Sequence, residues 1–439
     1  DNVEGWARVA GKLAIRPVDC FTEWNTLRVE GRDSGAVSVT ASPPWSTQER
    51  TKYGRFRLRE RSWGPLTDGI VFESYNGKSA NDNPRALFDA ISAERGDVPL
   101  YWSVRDRSVD VPSRGTPIVE GTAQWHRALA TSRIWINNNN FPYYVNKRQG
   151  QYYLQTWHGT PIKKLLWDLP RKKVPVTYRR IMRKEAAQWD LLLAQTHNAA
   201  ENLKSGLRYD GEIKIGEYPR NVRLNDEMTD PSLIKRRLGI DSAGKVVLYV
   251  PTWREADRVD EHSSWSASFN EKEFAEETDS TVLVRFHHMT AKRLSAGKRV
   301  VDVSDEPFVE DLMRVADLLI TDYSSISVDF ALTGKPFVYY TPDMHEYSVE
   351  RGFYGQRDWG HGATRTIESF EDLVTVCSEL LKQSGPRNLR AVHEQSIESN
   401  NREIVDIVTR THDSEGGAQL NENELRNKAS VDIAEGYTE

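Results

Sequence analysis

From Asp68 to Pro342 the chain repeats one arrangement: a short apolar run, a turn-rich stretch, then a segment with helical spacing. The apolar runs are "GIVFESY" (69–75), "VPLYWSV" (98–104), "RIWINN" (133–138), "QYYLQTW" (151–157) and "DLLLAQT" (190–196). Between them "RALFDAISAE" (85–94), "AQWHRALATS" (123–132) and "YRRIMRKEAAQW" (178–189) carry the helical period, and Thr196 is placed to cap a helix over "HNAAENLKSGL". Strands that alternate with helices predict βαβ units and a parallel sheet. After a connector without strong period, "KIGEYPRNVRL" (214–224), the arrangement begins again with "KVVLYVPTW" (245–253), "TVLVRFHHM" (281–289), "DLLITDY" (317–323) and "PFVYYTP" (336–342) as strands. The expectation is an α/β protein of two Rossmann-like domains facing a cleft. Ligands in such sheets sit at the carboxyl ends of strands, where helices begin.

The predicted divisions are 1–66, a small β-rich module or the tail of an upstream domain; 67–217 and 218–412, the two Rossmann-like domains; and 413–439, a polar tail expected to be disordered. Within the first, "AVSVTAS" (36–42) and "GRFRLRERSW" (54–63) alternate apolar and polar side chains, as half-buried strands do. The chain opens on Asp1 rather than Met, which fits a piece cut from a longer protein. A formal net charge of −5 gives no global field toward nucleic acid or anionic lipid, so any such attraction is local. Cys20 and Cys377 make neither a disulfide framework nor a zinc site, and fit a reducing compartment. No signal peptide opens the chain, and its apolar runs are too short for a membrane span.

Candidate chemistry lies at the strand ends. His158 follows the strand 151–157 and precedes Gly159, Thr160 and Pro161. An imidazole there would face the cleft as a general base, although alone such a histidine more often only satisfies backbone groups in a turn. Arg285 and His287 share one face of the next domain's strand end, a cation and an imidazole suited to phosphate oxygens. A solvated basic strand end would look the same. Asp322-Tyr323-Ser324-Ser325 leads into a helix, so its N–H groups and two serine hydroxyls form an anion cradle, or simply an N-cap. Asp329, one turn on, is placed to reach ribose hydroxyls. Thr252 and Arg254 follow another strand and are candidates for the nucleotide phosphates. Lys163–Lys184 carries nine Lys/Arg, among them Lys163, Lys164, Arg171, Lys172 and Lys173, interleaved with leucines and Trp167. Such a stretch fits an anionic membrane surface or polyanion, or a solvated face over a core stripe.

Taken in order, "DGIVFESYNGKSANDNPRAL", "INNNNFPYYVNKRQGQYYLQTWHGTPIKKL", "EYPRN", "VLYVPTWR", "VLVRFHH", "ITDYSSISVDFALTGKPFVYY" and "YSVERGFY" resemble the CDP-glycerol glycerophosphotransferase family, the teichoic acid polymerases and primases. The resemblance covers about residues 68–390 and leaves out 1–66. It implies a GT-B fold, acceptor-binding domain first and nucleotide-binding domain second. It implies transfer of glycerol phosphate from CDP-glycerol to a hydroxyl of a lipid-linked acceptor, with release of CMP, at the cytoplasmic face of the cell membrane. The family's two functional histidines match His158 and His287, and its donor-phosphate residues match Ser324 and Ser325. No nucleic acid and no cofactor is expected; no metal-ligand cluster is visible, and divalent-metal assistance stays open. "GQRDWGHGA" after "RGFY", and His288, depart from the family pattern and keep ribitol phosphate or a sugar-linked glycerol phosphate open as the transferred group. A sugar-nucleotide glycosyltransferase of the same fold and a non-enzymatic polyanion-binding module are the competing readings.

Overall fold

The structure is a computed structural model and describes residues 18–21, 26–31, 37–225, 230–241, 243–252, 269–286, 299–355, 365–383 and 390–413. β1 (Val18–Phe21), β2 (Thr26–Gly31) and β3 (Val37–Ser42) form a three-stranded antiparallel sheet. The apolar runs that follow become strands of two parallel sheets. The first holds β4 (Thr67–Glu73), β5 (Leu100–Val104), β6 (Thr116–Val119), β7 (Ser132–Asn137), β8 (Tyr152–Gln155), β9 (Leu191–Ala194) and β10 (Glu212–Ile215), in the order β10-β9-β8-β7-β4-β5-β6. The second holds β11 (Lys245–Val250), β12 (Ser280–Val284), β13 (Val300–Asp302), β14 (Leu318–Thr321), β15 (Phe337–Tyr340) and β16 (Arg365–Ile367), in the order β13-β12-β11-β14-β15-β16.

Both sheets grow outward from an internal first strand. The chain builds one side, returns across the starting strand, and builds the other. The reversal falls between β4 and β7 in the first sheet and between β11 and β14 in the second. Neighbouring strands there send their helices to opposite faces, which opens a crevice at the carboxyl ends. By that rule these two crevices are where a ligand is expected.

Burial explains why the strands read as unbroken apolar runs. Helices cover both faces, so neither set of alternate residues meets water. In β11, Val247 and Tyr249 pack into one cluster with Phe274 and Leu373, while Val246 and Leu248 pack into another with Leu312 and Phe330. The first sheet spends its aromatics on its core: Trp102, Trp125, Trp135 and Tyr153 are fully buried, and Phe72 stacks on Trp102 at 5.5 Å. Thr196 caps the helix His197–Leu207 as the sequence predicts, its hydroxyl accepting from Ala199 N at 3.1 Å.

Two elements depart from expectation. "GRFRLRERSW" is largely helix, Lys52–Glu60, not strand. Thr51 Oγ1 accepts from Gly54 N at 2.9 Å and starts it, and Tyr53 and Phe56 on it are exposed. The alternation there did not report a buried face. Second, the helix Arg390–Asp413 leaves the second sheet and returns to the first, where Ile404, Val405 and Val408 join its core. Asn400 and Asn401 then donate to the carbonyls of Glu217 and Pro219, at 2.6 and 3.2 Å. The division read from the sequence, 218–412, placed this helix with the second domain. Of the tail 413–439, residues 414–439 lie outside the described residues.

Candidate active site

The first half of the site forms at the β4/β7 reversal. β7 ends in Asn137, and Asn138 follows it; its side-chain oxygen accepts from Tyr75 N, at the end of β4, at 2.9 Å. β8 runs into Thr156, Trp157 and His158. Trp157 takes φ +55°, a conformation costly for a bulky side chain, and three contacts hold it there. Its N–H donates to Gln155 Oε1 at 2.9 Å, its carbonyl accepts from Asn83 Nδ2 at 3.1 Å, and its ring stacks on His158 at 4.8 Å. Tyr75, Asn76 and Asp82 also have positive φ, so unusual backbone clusters around this histidine.

His158 Nδ1 lies 2.7 Å from the carbonyl oxygen of Asn138. A carbonyl only accepts, so Nδ1 carries the proton and Nε2 presents a lone pair. Burial pushes the imidazole pKa below its ordinary value; the Asn138 carbonyl and Asp82 oppose this, while Arg220 and Lys163 add to it. A neutral imidazole with a free Nε2 is the form that takes a proton. Asn138 Nδ2 is buried without a hydrogen-bond partner among the described residues.

The second half forms at the β11/β14 reversal. Thr252 N, just past β11, donates to both carboxylate oxygens of Asp322, just past β14, at 2.9 Å each. Ser324 Oγ accepts from Ile326 N at 3.4 Å, and Ser325 begins the short helix Ile326–Ala331 without a side-chain capping bond. Both serines are partly exposed.

The halves touch. A Cβ placed on Gly159 would stand 2.3 Å from Ser325 Oγ, so the histidine turn and the serine turn approach as closely as a missing side chain allows. Behind them Arg220, from the connector, donates through one nitrogen to Asp82 Oδ2 at 2.8 Å and to the His158 carbonyl at 3.1 Å. Its other terminal nitrogen donates to Asp329 Oδ2 at 2.6 Å. Residues 162–164 also pair with 352–354: Lys164 N donates to Gly352 O at 3.1 Å and Tyr354 N to Ile162 O at 3.0 Å.

His158, Ser324 and Ser325 therefore come together, and Thr252 lies at the same strand ends. His287 and Arg254 fall outside the described residues. Arg285 is engaged by backbone, donating to the carbonyls of Val303 and Glu306 at 3.0 and 2.6 Å. Asp329 is a correction. It is buried, and its oxygens are taken by Arg220, Gln195 and Asn221, so it holds the interface instead of reaching for a ribose. Lys163 is partly buried and acts on His158, whereas Lys164, Arg171, Lys172 and Lys173 are exposed. Arg179, counted in the basic stretch, is buried and donates to the carbonyls of Leu169 and Pro170. Arg220, Asp82, Asn138 and Gln195 were not singled out from sequence. Arg220 sat in "EYPRN", and the polar runs after β4 and β7 held Asp82 and Asn138, without a pattern that assigned them roles.

Two doubly wound sheets meeting at their switch points, with a neutral imidazole against a serine-lined helix start, define a GT-B-like transferase that works on a nucleotide-activated donor. The chain belongs to the CDP-glycerol:poly(glycerophosphate) glycerophosphotransferase family, whose profile matches residues 62–403. It is 32% identical over 322 residues to the teichoic acid glycerol-phosphate transferase of Staphylococcus aureus, covering 70% of this chain and 82% of that one. It is 32% identical over 300 residues to the teichoic acid poly(glycerol phosphate) polymerase of Bacillus subtilis, covering 65% of this chain but only 40% of that polymerase. The fold matches the wall teichoic acid polymerase TagF with a TM-score of 0.72 at 22% identity, over 83% of this chain and 95% of that one.

Proposed function

We propose that the chain transfers glycerol phosphate from CDP-glycerol to a hydroxyl of a lipid-linked poly(glycerol phosphate) or related acceptor. His158 Nε2 takes the proton of the acceptor hydroxyl. The freed oxygen bonds to the glycerol-bearing phosphorus, and the bond from that phosphorus to the bridging oxygen breaks, so CMP leaves with the electron pair. Ser324, Ser325 and the N–H groups at the helix start face the donor phosphates, and Arg285 adds positive charge; His287, the other candidate of the sequence, lies outside the described residues. Transfer of this kind depends chiefly on positioning and electrostatic stabilisation. In this reading the first sheet's unit binds the acceptor and the second binds the nucleotide.

The observation that carries the reading is the free Nε2 of His158 on a turn that abuts Ser325. The test is nucleotide release, as CMP from CDP-glycerol and CDP-ribitol and as UDP or UMP from UDP-sugars, with and without a glycerol-phosphate-primed lipid. Release from CDP-glycerol that needs the primed lipid, and that falls by ~10²–10⁴-fold in His158→Ala, is expected. Release from a UDP-sugar alone sinks the proposal.

We also assign the exposed Arg171, Lys172, Lys173, Arg180, Arg183 and Lys184, beside exposed Val176 and Tyr178, to the anionic inner surface of the cell membrane. Among the described residues no helix is long and apolar enough to cross a membrane. Each basic residue near an anionic surface contributes about 1 kcal/mol. Lys172→Glu with Lys173→Glu should release the protein from anionic vesicles; unchanged cosedimentation refutes the assignment.

A further inference from the structure

We infer that Arg220 is a positioning residue that sets the separation between the His158 base and the Ser324–Ser325 turn. The inference rests on the reaction proposed above. Arg220 is 7% exposed and lies in the connector between the two sheets. One arm of its guanidinium holds the base side, through the His158 carbonyl and through Asp82, which opens the helix Asp82–Glu94. The other arm holds Asp329, four residues past Ser325 on the helix the serine turn begins. Its backbone N–H donates to Asn83 Oδ1 at 3.1 Å, which fixes the base of the side chain.

The contacts close a ring. Asp329 Oδ1 accepts from Gln195 Nε2 at 2.8 Å, and Gln195 Oε1 accepts from the hydroxyl of Thr160. Thr160 is two residues past His158. The path His158–Arg220–Asp329–Gln195–Thr160 thus starts and ends in the histidine turn and passes through the helix that carries the serines. Asn221 Nδ2 adds a further bond to Asp329 at 2.9 Å.

Stability alone gives a poor account of this ring. Burying charges is costly, and well-packed apolar side chains often stabilise as well. What the ring supplies is geometry. A planar, two-armed cation fixes both partners in direction as well as distance, which a lysine ammonium does not. Reacting atoms must sit ~3–3.5 Å apart, and a 1 Å error costs ~10²-fold.

The experiment compares wild type with Arg220→Lys, Arg220→Met and Asp329→Asn. It reads kcat and KM for CDP-glycerol per folded protein, and follows His158 titration by NMR, with His158→Gln assigning the signal. Charges facing His158 are Asp82, Arg220 and Lys163, with the Tyr75 hydroxyl on Asp82. Expected is a kcat loss of ~10²-fold in Arg220→Met and at least about tenfold in Arg220→Lys and Asp329→Asn, with KM for the donor within about threefold. His158 should titrate at higher pH in Arg220→Met, which loses a neighbouring positive charge, and stay in place in Arg220→Lys. A kcat within threefold of wild type in Arg220→Met overturns the inference, as does an unmoved His158. If Arg220→Met fails to fold, a wild-type kcat in Asp329→Asn overturns it. A wild type that releases no CMP from CDP-glycerol refutes the reaction instead, and the titration then decides whether Arg220 acts on His158.

Discussion

Gly159→Ala tests the contact on which the site depends. The new Cβ would meet Ser325 Oγ at 2.3 Å and Ser325 Cβ at 3.2 Å. The hydroxyl can rotate away, but then it no longer faces the histidine turn. The Cβ cannot rotate away, so the backbone must give by a few tenths of an ångström. Overpacking of this kind costs ~1–3 kcal/mol, and displacing one reacting half against the other costs up to ~10²-fold in rate. The assay is a double-mutant cycle: urea unfolding and CMP release for wild type, Gly159→Ala, Ser325→Ala and the double variant. Without Ser325 Oγ the nearest atom is Ser325 Cβ at 3.2 Å, so Gly159→Ala should destabilise clearly less in the Ser325→Ala background. Coupling of about 0.5–3 kcal/mol is expected for groups in contact. Backbone strain at φ +154° enters both backgrounds and cancels. Additive costs, or a Gly159→Ala protein as stable and active as wild type, would refute the close approach.

Tyr354→Phe removes a hydroxyl that bonds Asp168 Oδ2 at 2.6 Å and accepts from Leu165 N at 3.1 Å, across the junction of the two units. Leaving those groups unpaired should cost about 1–3 kcal/mol, seen as a lowered unfolding midpoint; an unchanged midpoint counts against the contact. Glu73, at the end of β4, is buried and its pKa is pushed up to about 8, chiefly by burial. The folded protein therefore keeps a proton that the unfolded chain releases near the usual glutamate value of about 4.3. The sign follows: that contribution is whole below the unfolded value and is lost as pH rises through about 8. Glu73→Gln cannot lose a proton, so its stability relative to wild type should rise from pH 5 to pH 8. Parallel urea midpoints over that range would refute it.

Strand and helix positions were legible because burial on both faces imposes continuous apolar runs, as in Ile70–Phe72 and Leu318–Ile320. The turns that carry His158 and the serines were legible for a related reason. A polar residue directly after a buried run lies at a carboxyl end, where open sheets bind ligands. "GRFRLRERSW" misled because charged residues alternated with apolar ones on a helix whose Tyr53 and Phe56 face solvent. Without burial, period two carries no information about strand.

Asp329 marks the limit more sharply. Its place one turn past the serines suited a ribose contact, and nothing local contradicted that. Its partner Arg220 stands 109 residues away, and Arg220 reaches the His158 carbonyl across 62 more in the other direction. Contacts over such separations leave no periodicity to read. The connector consequently looked like a passive link between two domains. Its arginine instead lies against both switch points, so a change in the connector should act on alignment of the two half-sites before it acts on either half alone. A hinge would predict the opposite, with each half-site indifferent to what residue 220 is.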